Sequence, residues 1–298
     1  MHQSLDTPKA SESAAPERGR RLFGFWAFFR SLMSNPAHAL GLIIFLFFLF
    51  LAIFGPLIAP YGPNEQILED VRQAPSATHW LGTDNLARDV FSRIILGARD
   101  VFTLAGVGTA LAVLFGTVLG LLSGYRGGWF DEILMRFFDS LLSLPALLLA
   151  LLLLGTLGPS RQSVLFVIVI VYIPIVARVV RSVVLSVKNR GYIEAARTQG
   201  ESTTRILFRE ILPAVLPALA VEAALRFSYA IFLASSLGFL GVGVQPPSPD
   251  WGLMVKEARD SVSQTPWALY YPAAAISLLV ISVNLLADGL KNLYQTEN

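Results

Sequence analysis

The chain has 298 residues, 54% hydrophobic and 15% charged, with a mean hydropathy of +0.59 and a formal net charge of +2. Ordinary soluble domains carry about 25% charged residues, so this deficit points to a protein built for a bilayer. Cysteine is absent, which excludes disulfides and thiolate metal sites. The three histidines, His2, His38 and His79, are too scattered for a metal or histidine-based catalytic centre.

Residues 1–34 divide from the rest. The first 30 or so are rich in Ser, Ala, Pro and charge and cannot build a core, so they read as a disordered tail. Within them, the short aromatic stretch Leu22–Met33 suits the membrane interface. Residues 35–298 then alternate between apolar and polar segments. Ala39–Ile58 has about the 20 residues needed to cross ~30 Å of hydrocarbon, and Pro56 and Pro60 stop it. It is too long for the apolar part of a signal peptide.

Residues 61–99 are too polar to cross, and around Gly82, Asp84, Arg88 and Asp89 they predict a helix start capped by Asp84. A second span is expected at about 101–124, with Gly106, Gly108, Gly116, Gly120 and Gly124 allowing close helix packing. A turn and a short amphipathic helix follow. Further spans are expected at about 140–157, entered through Pro145, at 164–184, at 214–240 and at 269–290. Arg178 and Arg181 at the end of the fourth can snorkel to a polar boundary. Asn284 and Asp288 suit the inner end of the sixth. The expectation is an all-α membrane protein with six transmembrane helices and both termini on one side.

With the termini inside, the inner segments hold fifteen Lys and Arg and the outer segments seven. This obeys the positive-inside rule and puts the polar segment at about 188–213 in the cytoplasm. That segment predicts a helix over Arg190–Gln199, stopped by Gly200, then a second helix over Thr203–Leu212, capped by Ser202 and ended or bent by Pro213. Glu201, Arg205 and Arg209 fall at i, i+4 and i+8, where they can pair along one exposed face. Ala195 and Ala196 are small enough for another surface to press on the first helix.

The run EAARTQG, Glu194–Gly200, followed by Leu212-Pro213, resembles the EAA loop of ABC-importer membrane subunits. HWLGTDNLARDVFSR, His79–Arg93, and LGFLGVGVQPPSPDWG, Leu237–Gly252, are similar to the second-permease branch of dipeptide/oligopeptide/nickel-type systems. The resemblance covers about residues 35–292. It implies a type I importer transmembrane domain in which Glu194, Ala195, Ala196, Gly200, Leu212 and Pro213 form the ATPase-docking coupling loop. It also implies a homologous second permease, two cytoplasmic ATPase subunits that bind ATP and magnesium, and an external substrate-binding protein, in a bacterial or archaeal cytoplasmic membrane and with no nucleic acid. Glu210 departs from the family pattern, which has an apolar residue or His there.

The chain has no GxxxxGK[ST] sequence and no Gly-Lys pair, so no P-loop, no ATP-hydrolysing function and no cofactor of its own are expected. Glu222 and Arg226 sit one turn apart inside the fifth span, where an unpaired charge costs about 2.5–3.5 kcal/mol. They can pair with each other or line a translocation path. The cargo is expected to be a short peptide, with nickel or another small solute as the alternative. A stand-alone secondary transporter is the rival of a different class.

Overall fold

The computed structural model describes Met33 and residues 35–295. The tail, and the stretch Leu22–Met33 apart from its last residue, lie outside the described residues. Ten α-helices, two 3-10 turns and one π-helical stretch account for the regular structure described.

Helix α1, Pro36–Ile58, starts where the Asn35 side chain accepts the Ala37 N–H at 2.9 Å and proline occupies the first turn. Helix α2, Val90–Arg126, has 37 residues, about 55 Å, and begins eleven residues before the expected second span. Its N-cap is Asp89, which accepts the Ser92 N–H at 2.7 Å. Asp84 is not the cap: it closes the preceding turn, accepting from Leu86 N and Arg88 N at 2.8 and 3.0 Å. Ala87 has φ +57°, so the chain cannot run helically from Asp84 to Val90.

Helices α3, Gly128–Leu142, and α4, Ala146–Leu157, meet at 91°. The apolar run around 140–157 is therefore not one straight rod. Pro145 has no N–H to donate and disfavours helical backbone at the residue before it, so the chain breaks at Ser143–Pro145. Helix α5, Arg161–Val187, is capped by Ser160. The polar segment holds α6, Gly191–Thr198, and α7, Thr203–Arg205, then a π-helical stretch, Ile206–Ile211. It runs directly into α8, Leu212–Leu240. Helix α9, Trp251–Ala258, and helix α10, Pro266–Gln295, complete the chain.

Helices α1, α2, α5 and α10 are each long and apolar enough to cross a membrane, and the bent α3–α4 pair makes a fifth candidate span. Helix α8 has 29 residues but carries Glu222 and Arg226. The fold is thus an all-helical membrane protein. Helices α2 and α5 form its closest pair: a Cβ on Gly120 would lie 2.5 Å from the Ala177 carbonyl oxygen, and one on Gly116 would lie 2.7 Å from Val176 Cβ. The expected glycine packing is therefore real at Gly108, Gly116, Gly120 and Gly124, while Gly106 meets only Phe227, at 3.8 Å. One large apolar core joins α1, α2, α5, α8, α9 and α10. A second core gathers Leu121, Val180, Ile193, Ile206 and Ile211 at the end of the bundle where the polar segment folds.

Candidate functional site

The polar segment folds as two short helices around a glycine. Gly200 has φ +76°, a left-handed conformation that stops α6 and lets Glu201 N bond back to the Ala196 carbonyl at 3.1 Å. Ser202 then caps α7 through the Arg205 N–H. The second helix does not end at Pro213. Pro213 offers no N–H to the carbonyl four residues back, and the Ile206–Ile211 stretch takes up the mismatch with π-helical bonds, Leu212 N reaching Leu207 O. Glu201 and Arg205 pair at 3.3 Å, and no ion pair of Arg209 is found among the described residues. The π turn shifts Arg209 out of the straight-helix phase that the i+8 spacing assumed.

The residues expected to form the coupling loop fall into two groups. Glu194, Ala195 and Gly200 are exposed, whereas Ala196 is buried beside Ile193 in the second core. Leu212 packs on that core and Pro213 is half-buried in the first turn of α8. Tyr192 and Phe208 add exposed apolar surface that the sequence reading passed over. Glu210 sits half-buried in the π turn, so an apolar side chain is not demanded there.

Two contacts tie this loop to the spans, and a third clasp joins the spans beside it. The Arg197 guanidinium lies over the Tyr125 ring at 4.9 Å, with Nε 3.3 Å from its hydroxyl. Lys188 Nζ donates to the Gly124 carbonyl at 3.0 Å. Arg181 grips Asp131 through two 2.6 Å bonds, and Ser123 donates to the same carboxylate at 2.5 Å. Asp139 pairs with Arg178 one further turn along. Arg178 and Arg181 thus hold α3 across α5 rather than reaching only for the membrane boundary. Asp131→Ala is expected to leave Arg181 without its partner and to destabilise by about 3 kcal/mol, the low end for a broken buried pair because Arg181 is 30% exposed. Thermal unfolding of the purified protein in detergent measures this, and a stability equal to the parent's removes the clasp from the account.

Glu222 and Arg226 do pair, with Oε1 to Nε at 2.8 Å and both side chains largely buried. The guanidinium also lies 4.7 Å from the Tyr229 ring centre and 5.6 Å from that of Tyr172 on α5. At 2.8 Å the two atoms are in direct contact and shielded from solvent by each other and the bundle. Among the described residues, no contact joins this pair to the residues expected to form the coupling loop: Glu222 and Arg226 lie further along α8 than Pro213.

At the opposite end, residues 61–89 are stapled to the α9 region. Arg88 bridges Asp84 at 2.6 Å and Glu257 at 2.5 Å. Burial alone would lower the Arg88 pKa, but the two carboxylates outweigh it and hold it above its usual value. His79 is buried between Asp89 at 2.9 Å and Asp70 at 3.3 Å, stacked on Tyr61. Burial pushes the Asp250 carboxyl up to about 6, opposed by the N–H of Leu253 that it accepts. No group of three metal-ligating side chains occurs among the described residues.

Comparison with known proteins places this architecture. Residues 116–296 match the family described as binding-protein-dependent transport system inner membrane component, and residues 24–75 match the N-terminal TM domain of oligopeptide transport permease C. The chain is 42% identical over 264 residues to the dipeptide transport system permease protein DppC of Alkalihalophilus pseudofirmus, covering 89% of this chain and 87% of that protein. It is 40% identical over 270 residues to the glutathione transport system permease protein GsiD of Pectobacterium atrosepticum, covering 90% and 88%. Against DppC of Bacillus subtilis the identity is 37% over 264 residues, covering 88% and 82%. ATP hydrolysis in such systems lies in partner subunits, consistent with a chain that has no P-loop. The chain belongs to the inner-membrane permease components of binding-protein-dependent ABC importers, in their dipeptide- and oligopeptide-type branch.

Proposed function

We propose that this chain is one of two membrane-spanning permease subunits of an ATP-driven importer that brings short peptides into the cell. The names of its relatives, dipeptide and glutathione permeases at about 40% identity over most of the chain, support the cargo class. In this proposal α8 joins α1, α2, the α3–α4 pair, α5 and α10 as the sixth span. The excess of Lys and Arg puts both termini and the polar segment in the cytoplasm. The other permease is a homologue, two ATPases dock from the cytoplasm, and a substrate-binding protein delivers cargo from outside.

One observation carries the coupling role: a capped helix–glycine–helix elbow, exposed at Glu194, Ala195 and Gly200, is seated on its own apolar core and bolted to α2 through Arg197 and Tyr125. Such an elbow moves as a unit, so a push on α6 reaches the spans. Glu194, Ala195 and Gly200 then meet the ATPase, while Ala196, Leu212 and Pro213 hold the elbow's shape. Glu222 and Arg226 line the path between the two permeases.

The test is affinity purification of this chain from membranes of its own host, followed by uptake assays on the recovered complex in proteoliposomes. A second permease and two ATPases are expected to co-purify, and uptake of labelled di- or tripeptide is expected to need ATP and the binding protein. Uptake by this chain alone, driven by an ion gradient, contradicts the proposal. A complex that moves only a metal ion or a sugar overturns the cargo assignment.

A further inference from the structure

Glu222, Arg226, Tyr229, Phe232, Ser236 and Leu240 recur every three to four residues along α8 and so share one face of the helix. The face is not sealed inside the chain: Tyr229 is 52% and Phe232 62% exposed. Towards the end of α8 furthest from the polar loop, this face forms one wall of an open groove of about 380 Å³, completed by Leu147 of α4, Val255 of α9 and Ser277 of α10. That volume falls within the ~300–1,000 Å³ of small-molecule sites. The lining is mostly apolar, with hydroxyls at Ser235, Ser236 and Ser277. About 15 Å down the same face, at mid-helix, stands the ion pair.

Three features of the pair point to a ligand. Glu222 and Arg226 are both largely buried and pair only with each other, Oε1 to Nε at 2.8 Å, so the chain supplies neither charge with any further ionic partner among the described residues. The guanidinium is held by two aromatic rings, which fix its plane while leaving its donors to be shared. Residues one helical turn apart stand ~6 Å apart along the axis, and a two-residue peptide spans at most ~7 Å. A dipeptide that opens the 2.8 Å pair can therefore lay its carboxylate on Arg226 and its ammonium on Glu222 in a single pose. Because a zwitterion brings one charge of each sign, this exchange leaves no uncompensated charge in the membrane.

We propose that the groove and the Glu222–Arg226 pair are successive stations of one substrate path on α8, selective for dipeptides with both termini free. The groove takes the side chain, and the pair then reads the two termini. This rests on the peptide-importer proposal above and adds to it the residues that recognise the cargo.

The test uses the complete importer in proteoliposomes, with Ala-Phe, its C-terminal amide and its N-acetyl form as probes. Arg226→Gln is expected to slow Ala-Phe uptake by about tenfold or more, the loss expected when a charge-assisted contact is removed. ATP hydrolysis stimulated by the loaded binding protein stays within about twofold; Arg226→Lys keeps the charge but loses the planar fork and the ring stacking, so it is expected to recover only part of the uptake that Arg226→Gln loses. The parent carries the amide and the acetyl form about tenfold more slowly than Ala-Phe, and Arg226→Gln narrows the preference over the amide. Should Arg226→Gln fail to assemble, Ser236→Phe decides, because it fills the groove from a half-buried position. It is expected to slow Ala-Phe much more than Gly-Gly.

A photo-crosslinking residue at Phe239, which also lines the groove, is expected to capture labelled peptide during turnover. Arg226→Gln transport at the parental rate, equal slowing of Ala-Phe and Gly-Gly by Ser236→Phe, or crosslinks only to lipid or to another polypeptide each overturn the proposal. If the parental complex moves no peptide at all, the importer assignment fails first, and the two failures are told apart by that control.

Discussion

Replacing Gly200 with valine is expected to stop transport while leaving the chain in the membrane at its normal level. Gly200 adopts φ +76°, which costs a β-branched residue roughly 1–2 kcal/mol. That alone does not unfold a protein of this size. Among the described residues nothing lies within 4 Å of a Cβ added at this position, so the added Cβ meets no described neighbour. Any further loss is then expected from a surface outside the described residues, and the docked ATPase is the one proposed.

The expected result is uptake lowered by about tenfold or more, with ATP hydrolysis continuing but no longer tied to transport. Gly200→Asn separates the two causes, because asparagine tolerates this backbone conformation yet still adds bulk. If the valine variant fails and the asparagine variant is normal, backbone strain is the reason. If both fail, docking is the reason. Normal uptake by both removes Gly200 from the coupling contact.

Trp251→Ala is expected to give the largest loss of stability. Trp251 is fully buried at the first turn of α9, donates from Nε1 to the Ile94 carbonyl at 3.0 Å, and meets Phe48 edge-on at 5.5 Å. It joins α9 to both α1 and α2. Gly97 faces it so closely that a Cβ there would lie 2.6 Å from the indole nitrogen. Removing a fully buried tryptophan costs about 3–5 kcal/mol, which for a chain of this size lowers the melting temperature by roughly 10 °C. Trp251→Phe keeps part of the volume and loses the hydrogen bond, so its effect is expected to be smaller. A shift below about 2 °C for the alanine variant means that α9 is not a structural keystone.

These predictions draw on different kinds of information. Asn35, Ser160 and Ser202 cap helices as their residue types suggest, and Gly200 stops α6 as expected, with the helix ending at Thr198, one residue before the expected Gln199. Each of these depends on a side chain and the few backbone groups next to it, so it is visible in a short stretch of sequence. The same holds for the apolar runs, whose preference for lipid needs no tertiary partner.

Elsewhere a local rule allowed two outcomes. Asp84 and Asp89 both suit an N-cap, and the left-handed Ala87 between them assigns the helix to Asp89. Ala195 and Ala196 are alike in composition, but only Ala196 lies against Ile193 and the second core. Pro145 and Pro213 both announce a disturbance. One produces a 91° corner and the other a π turn inside a continuous helix. The difference is what the flanking turns can pack against, since α3 is anchored on α5 and the π turn rests on the loop core.

The sequence by itself determined that the chain belongs in a membrane, where its polar elbow falls, and that it cannot bind ATP through a P-loop. Those properties are sums over neighbouring residues or the presence of a contiguous motif. Only the tertiary structure decided that Asp131 meets Arg181 fifty residues away, that Arg197 stacks on Tyr125, and that Arg226 lies between two tyrosines at the edge of an open face. Such contacts join residues on different helices. Which side chains meet there is set by how glycine-lined α2 lets α5 approach and by which face of α8 then remains uncovered, and no short stretch of sequence carries that information.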